Sequence, residues 1–149
     1  MCSVNVDFIA PKNSPYVTIH SASSSTITPT ISTFTSAVTG GYSERTLTGS
    51  GYSIGNITTL EIHKFTFLGN DNSVVNATVP GTIKYPSVMQ YYQLPVFGTI
   101  EGSRSIGSLT VDTNGVLSFY RTTSESSWES FVSDSSYTVF PVVVHYYTS

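Results

Sequence analysis

The chain has 149 residues and a net charge of −3, with only 10% charged residues against 39% hydrophobic and 13% aromatic. Scarce charge with many aromatics excludes a disordered chain, which lacks the apolar groups a core requires, and the six basic residues form no stripe that could follow a phosphate backbone. No apolar run reaches the ~18 residues of a membrane helix, and the single cysteine, Cys2, rules out an intrachain disulfide.

A chain of this length buries roughly 68–70% of its unfolded surface, enough for one domain with a real core. Roughly three residues in ten are Ser or Thr, so the polar surface is built mainly from hydroxyls. Such a surface suits neutral hydrogen-bonding partners, sugars above all. Hydroxyl-rich strands and turns are also common for purely structural reasons.

In chain order, Met1–Phe8 lacks the basic start and apolar stretch of a signal peptide, which predicts folding in a reducing cytoplasm. Val4–Ile9 alternates, Pro11 and Pro15 interrupt it, and Tyr16–Ile19 reads as a short strand. Ser21–Thr39 is Ser/Thr-biased with large apolar residues at irregular intervals, so residues 1–40 are expected to be an extended arm or linker packing on a neighbour. Gly40-Gly41 breaks that segment. Ile57–Phe67 reads as one strand, with Thr58, Leu60 and Ile62 on one face and Glu61, His63, Phe65 and Phe67 on the other. The turn cluster Gly69–Asn72 then leads into a strand over Val74–Val79.

Ile83–Tyr85, Val88–Tyr92 and Val96–Ile100 are short strands or connections separated by Pro86 and Pro95. The clearest local pattern is a hairpin, Ile106–Val111, Asp112-Thr113-Asn114-Gly115, then Val116–Arg121, in which Asn-Gly supplies the positive φ angles of a tight turn. A polar loop over Thr122–Ser130 carries the only tryptophan, Trp128. The last stretch, Tyr137–Tyr147, is apolar on both faces, which marks a strand covered twice. Pro141 within it predicts a bulge, a bend or an unpaired edge. No helix of any length can be written. The fold expected is a single all-β domain over 1–149, an antiparallel β-sandwich or barrel of short strands, jelly-roll-like.

Catalytic arrangements are not evident. His20, His63 and His145 share no metal-ligand spacing with one another or with Cys2. There is no Gly-x-Ser-x-Gly elbow, and nothing singles out a carboxylate pair among nine acidic residues. The aromatic loop is more informative. Trp128 among hydroxyls, with Tyr120 and Arg121 before it and Glu125 and Glu129 flanking it, is a candidate platform for a sugar ring, and Tyr92 is a second candidate. The competing reading is that Trp128 folds back to cap an open end of the core.

The run Gly98–Gly102, the Ile106–Tyr120 hairpin, a tryptophan loop and a terminal apolar strand resemble the C-terminal head domains of phage and viral fibres and receptor-binding proteins. The resemblance covers residues 98–149. It implies a homotrimer on a virion surface that binds a host glycan or protein through loops, with no cofactor and no enzymatic activity. Other virion proteins are further expected partners, and nucleic acid and membrane insertion are not. The doubly apolar terminal strand places Val142, Val144 and Tyr146 near the subunit contact. A capsid decoration protein, a soluble lectin or a glycan hydrolase remain as alternatives.

Overall fold

The computed structural model describes residues 27–41, 45–98, 104–122 and 128–148, with the backbone alone at 96–98, 104–106, 122 and 128. The expected strands at Val4–Ile9 and Tyr16–Ile19 lie outside the described residues, as does Glu125. Eleven strands are present and there is no helix among the described residues. One sheet has four strands in the order β1 (Ser32–Val38), β2 (Arg45–Ile54), β3 (Ile57–Ile62), β11 (Val142–Tyr147). The other runs β4 (Phe65–Leu68), β10 (Ser136–Val139), β6 (Gln90–Gly98), β7 (Arg104–Val111), β8 (Val116–Thr122), β5 (Val74–Thr78), with β9 (Trp128–Glu129) on the end of β8. All named pairs are antiparallel. The all-β sandwich is as the alternation predicts.

The two stretches that read as single long strands each bend and serve both sheets. Ile57–Leu68 becomes β3 then β4, and Ser136–Tyr147 becomes β10 then β11. They pair with each other on both sides of the bend: Ile62 faces Val142 in one sheet, and Phe65 faces Val139 in the other. Both strands advance by the same number of residues between those two pairs, so the register is unbroken around the corner. Passing from one sheet to the other turns the core-facing side over. In β3 the buried residues are Thr58, Leu60 and Ile62, and in β4 they are Phe65 and Phe67. In β10 they are Tyr137 and Val139, and in β11 Val144 and Tyr146.

This corrects two expectations. Phe65 and Phe67 do not share a face with exposed Glu61 and His63, because the phase changes at the exposed pair His63-Lys64. Likewise the terminal stretch is not one strand covered on both faces. Its phase changes at Phe140-Pro141, both exposed, and each half buries one face only. Proline suits that corner, where a missing N–H interrupts no ladder.

Opposite this corner the two sheets are stitched a second time. Thr39 and Asn76 exchange backbone hydrogen bonds, each 2.9 Å, and the Thr78 amide donates to Ser36 Oγ at 2.9 Å. The sandwich is thus joined on two sides. Residues 32–38 form a full ladder with β2, so this part of the expected arm is a strand of the chain's own sheet. Residues 90–98 make one strand through Pro95, and β10 stops pairing with β6 at Val96, next to the residue that cannot donate. Ile83–Tyr85 is not a strand. Ile83 is buried against Gly51, and the Tyr85 hydroxyl donates to the Val79 carbonyl at 3.0 Å.

The β7–β8 hairpin forms as read, with one difference in its turn. Asn114 does not take a positive φ, whereas Gly115 does, at 79°. The Asp112 carboxylate accepts from the amides of Asn114 and Val116, both at 2.8 Å. The loop is a turn followed by one left-handed residue, the longer hairpin connection rather than the two-residue one. Gly115 is also required by space, because a Cβ there would meet the Tyr85 ring.

Between the sheets lies a core rich in rings. Phe65 and Phe119 meet edge to face with centroids 5.0 Å apart, as do Phe67 and Phe131 at 4.9 Å and Phe131 and Tyr137 at 5.0 Å. Tyr146, 3% exposed, closes the side beside β11, its hydroxyl donating to the Lys84 carbonyl at 2.9 Å. Burial, with Tyr92 and Tyr85 nearby, pushes its ionisation up from 10.0 to about 12. The folded chain favours the neutral phenol, so this contribution to stability is complete below pH 10 and is lost as pH rises through about 12. Denaturant unfolding at stepped pH should show a fall above pH 10 that Tyr146→Phe largely removes, and a tyrosinate absorbance titration should lose its latest-ionising ring in that variant.

Candidate binding surface

The sequence offers a candidate platform at Trp128 with Tyr120, Arg121, Glu125 and Glu129, and a second candidate at Tyr92. The structure places Tyr92 and Tyr120 on opposite faces of their sheet. Tyr92 pairs with Leu109, which pairs with Phe119, so Tyr92 lies on the core side of its sheet. Its hydroxyl donates to the His145 carbonyl at 2.9 Å, and burial raises its ionisation. Tyr120, next to Phe119, points out of the opposite face. The two tyrosines therefore cannot line one site.

Arg121 and Glu129 do meet. They are register partners across β8 and β9, and Arg121 Nη2 lies 3.2 Å from Glu129 Oε2. Arg121 Nη1 also donates to the Ser130 carbonyl at 3.3 Å, and the guanidinium sits 5.8 Å from the centre of the Tyr137 ring. With its side chain 15% exposed, Arg121 clasps β9 to the end of the core. Trp128 is on the short strand β9, not in an open loop, its backbone paired with Thr122. Arg121→Ala should therefore lower stability by about 1 kcal/mol, measured by urea unfolding, and leave saccharide binding unchanged.

The subunit-contact candidates divide similarly. Val144 and Tyr146 are 2% and 3% exposed within the chain's own core, and Val142 is half-buried against it, so Val144 and Tyr146 cannot face a neighbour. The free face of β11 carries Val143, His145 and Tyr147. Each stands in an outward row: Val143 beside Glu61 and Ser50, His145 beside Thr59 and Tyr52, Tyr147 beside Ile57 and Ile54. Val143 is 54% exposed and Tyr147 65%, more apolar surface in one place than single scattered residues explain.

His63 and His145 both stand on this outer face. His145 Nδ1 is 3.0 Å from Thr59 Oγ1, and His63 Nδ1 is 3.1 Å from Thr48 Oγ1. His145 on β11 is held by a threonine hydroxyl on β3, and His63 at the β3–β4 corner by one on β2. The pairing requires cross-strand register, which spacing along the chain does not supply. Among the described residues no group of three His, Cys, Asp or Glu could hold a metal ion, and no helix is long and apolar enough to cross a membrane.

No protein-family model and no curated protein matches the chain. Solved structures do. The crystal structure of a reovirus attachment protein, sigma1, in complex with α-2,3-sialyllactose superposes with a TM-score of 0.55 over 80% of this chain, at 12% sequence identity. The likeness is one of fold. The chain spans 66% of the sigma1 chain. The fibre-head resemblance read from the hairpin and terminal strand thus meets a viral attachment protein as a structural neighbour.

Proposed function

We propose that the chain is a non-enzymatic attachment module of a virion surface that binds a host glycan or protein receptor. The observation that carries this reading is the sigma1-like fold over 80% of the chain. The surface chemistry supports it: hydroxyl-rich strands with little charge offer neutral hydrogen bonding that salt does not screen. Binding to a glycan array or to cell surfaces, without release of free sugar, is the expected result. Turnover of a bound glycan, or binding to neither, overturns the reading.

The module self-associates through the outer face of β11, as a trimer by analogy with fibre heads. Val143, His145 and Tyr147 are the contacts. The rows they stand in hold one carboxylate, Glu61, and no lysine or arginine, so copies can approach without like-charge repulsion. Val143→Asp should yield a folded monomer, whereas Val144→Asp should unfold the chain by placing a carboxylate in the core at a cost of several kcal/mol. Sedimentation at micromolar concentration, with circular dichroism, distinguishes the two. A monomeric wild-type protein ends the oligomer proposal.

A further inference from the structure

At the far side of the same outer face, between β1 and β2, the sheet surface is notched. Thr33, Thr35, Thr48 and His63 line a cleft of about 340 Å³, with Phe34 and Gly49 beneath them. Thr48 is two strands from β11, roughly 10 Å at ordinary strand spacing, so the cleft stands beside the proposed subunit contact and not within its centre. Phe34 is inward-facing and 8% exposed. Its ring packs on the core side against its register partner Gly49, where a Cβ would come within 2.7 Å of the ring. Any other residue at 49 would push the ring away.

We propose that this cleft is a saccharide subsite that takes an uncharged sugar ring; the proposal rests on the attachment reading and adds its place and ligand class. A sugar presents apolar C–H faces and hydroxyls that both donate and accept. The threonine methyls supply apolar contact, and the threonine hydroxyls can donate or accept as the sugar requires. His63 Nδ1 is occupied by Thr48, which fixes the imidazole and turns Nε2 towards Glu61. Nε2 and Glu61 Oε1 are 3.9 Å apart, too far for a direct hydrogen bond and wide enough for a sugar hydroxyl to hydrogen-bond to both. Both side chains are about half exposed, so neither must be unburied to bind. No lysine or arginine lines the cleft, and the nearby carboxylate disfavours an anionic ligand.

The test is an amide-resolved NMR titration of the full chain with lactose, and separately with α-2,3-sialyllactose, at millimolar concentration. Saturable shifts at Thr35, Thr48 and His63 are expected with both sugars, with no more than about threefold preference for the sialylated one. Thr48→Val, which keeps the shape of the side chain and removes the hydroxyl that holds His63, should weaken lactose binding about tenfold with an unchanged melting temperature. His63→Ala should act in the same direction. Shifts that cluster instead at Trp128 and Tyr120, unchanged binding by a folded Thr48→Val protein, or a strong preference for sialyllactose each overturn the subsite. If Thr48→Val still binds glycan arrays as wild type does, the subsite fails and the attachment reading stands. If wild type binds cell surfaces but no saccharide, the subsite fails while a protein receptor remains. Wild type that binds neither defeats both.

Discussion

Both sheets depend on one bent ribbon, Ile57–Leu68 against Ser136–Tyr147, whose register does not change at the corner. A strand whose pairing slips by one residue turns all its side chains to the other face. Here a slip would expose Leu60, Ile62, Val144 and Tyr146 in one sheet and Phe65, Phe67, Tyr137 and Val139 in the other, all at once. The corner gives up two exposed residues on each strand, His63-Lys64 and Phe140-Pro141, and so both sheets keep a continuous apolar inner face. Two inner faces that must be satisfied by one pairing leave it little freedom.

The same corner decides what the outside displays. Because the core-facing phase changes there, β11 turns Val143, His145 and Tyr147 outward instead of Val144 and Tyr146. The outer surface of the four-stranded sheet then carries apolar rows at the β11 side and threonine–histidine pairs across the strands. Those pairs fix two imidazoles with neutral partners. A face built this way offers hydrogen bonds without strong charge, which fits recognition of hydroxyl-bearing or apolar surfaces better than of ions.

How much of this could be read from the sequence follows from how local each feature is. The β7–β8 hairpin was legible because its alternation and its Asp-Thr-Asn-Gly turn lie within one short consecutive stretch, Ile106–Arg121. The strands Ile57–Phe67 and Tyr137–Tyr147 were legible as strands, but their faces were not. Period-two alternation predicts a face only while one sheet continues, and nothing in His63-Lys64 announces a change of sheet. Pro141 did announce a bend, without saying that the apolar phase would shift with it. The placement of Tyr92 was not legible for a different reason: only the cross-strand register, through Leu109 and Phe119, shows that it points away from Tyr120. Trp128 was read as a loop residue because a two-residue strand leaves no pattern to find.

The ribbon also bears on how the chain reaches its native state. Ile62 and Val142 are about 80 residues apart in sequence, and every rung of the corner ladder spans a comparable distance. A ribosome must therefore deliver residues up to the β11 segment before the corner can form and either sheet can be completed. The β7–β8 and β2–β3 hairpins, by contrast, can pair as soon as they emerge. Such long-range closures bring an entropic cost before contacts offset it, which places the chain among slowly folding β topologies. Until that moment the ring cluster of Phe65, Phe67, Phe119 and Phe131 has no lid from Tyr137 and Val139, and the nascent protein exposes its stickiest surface longest.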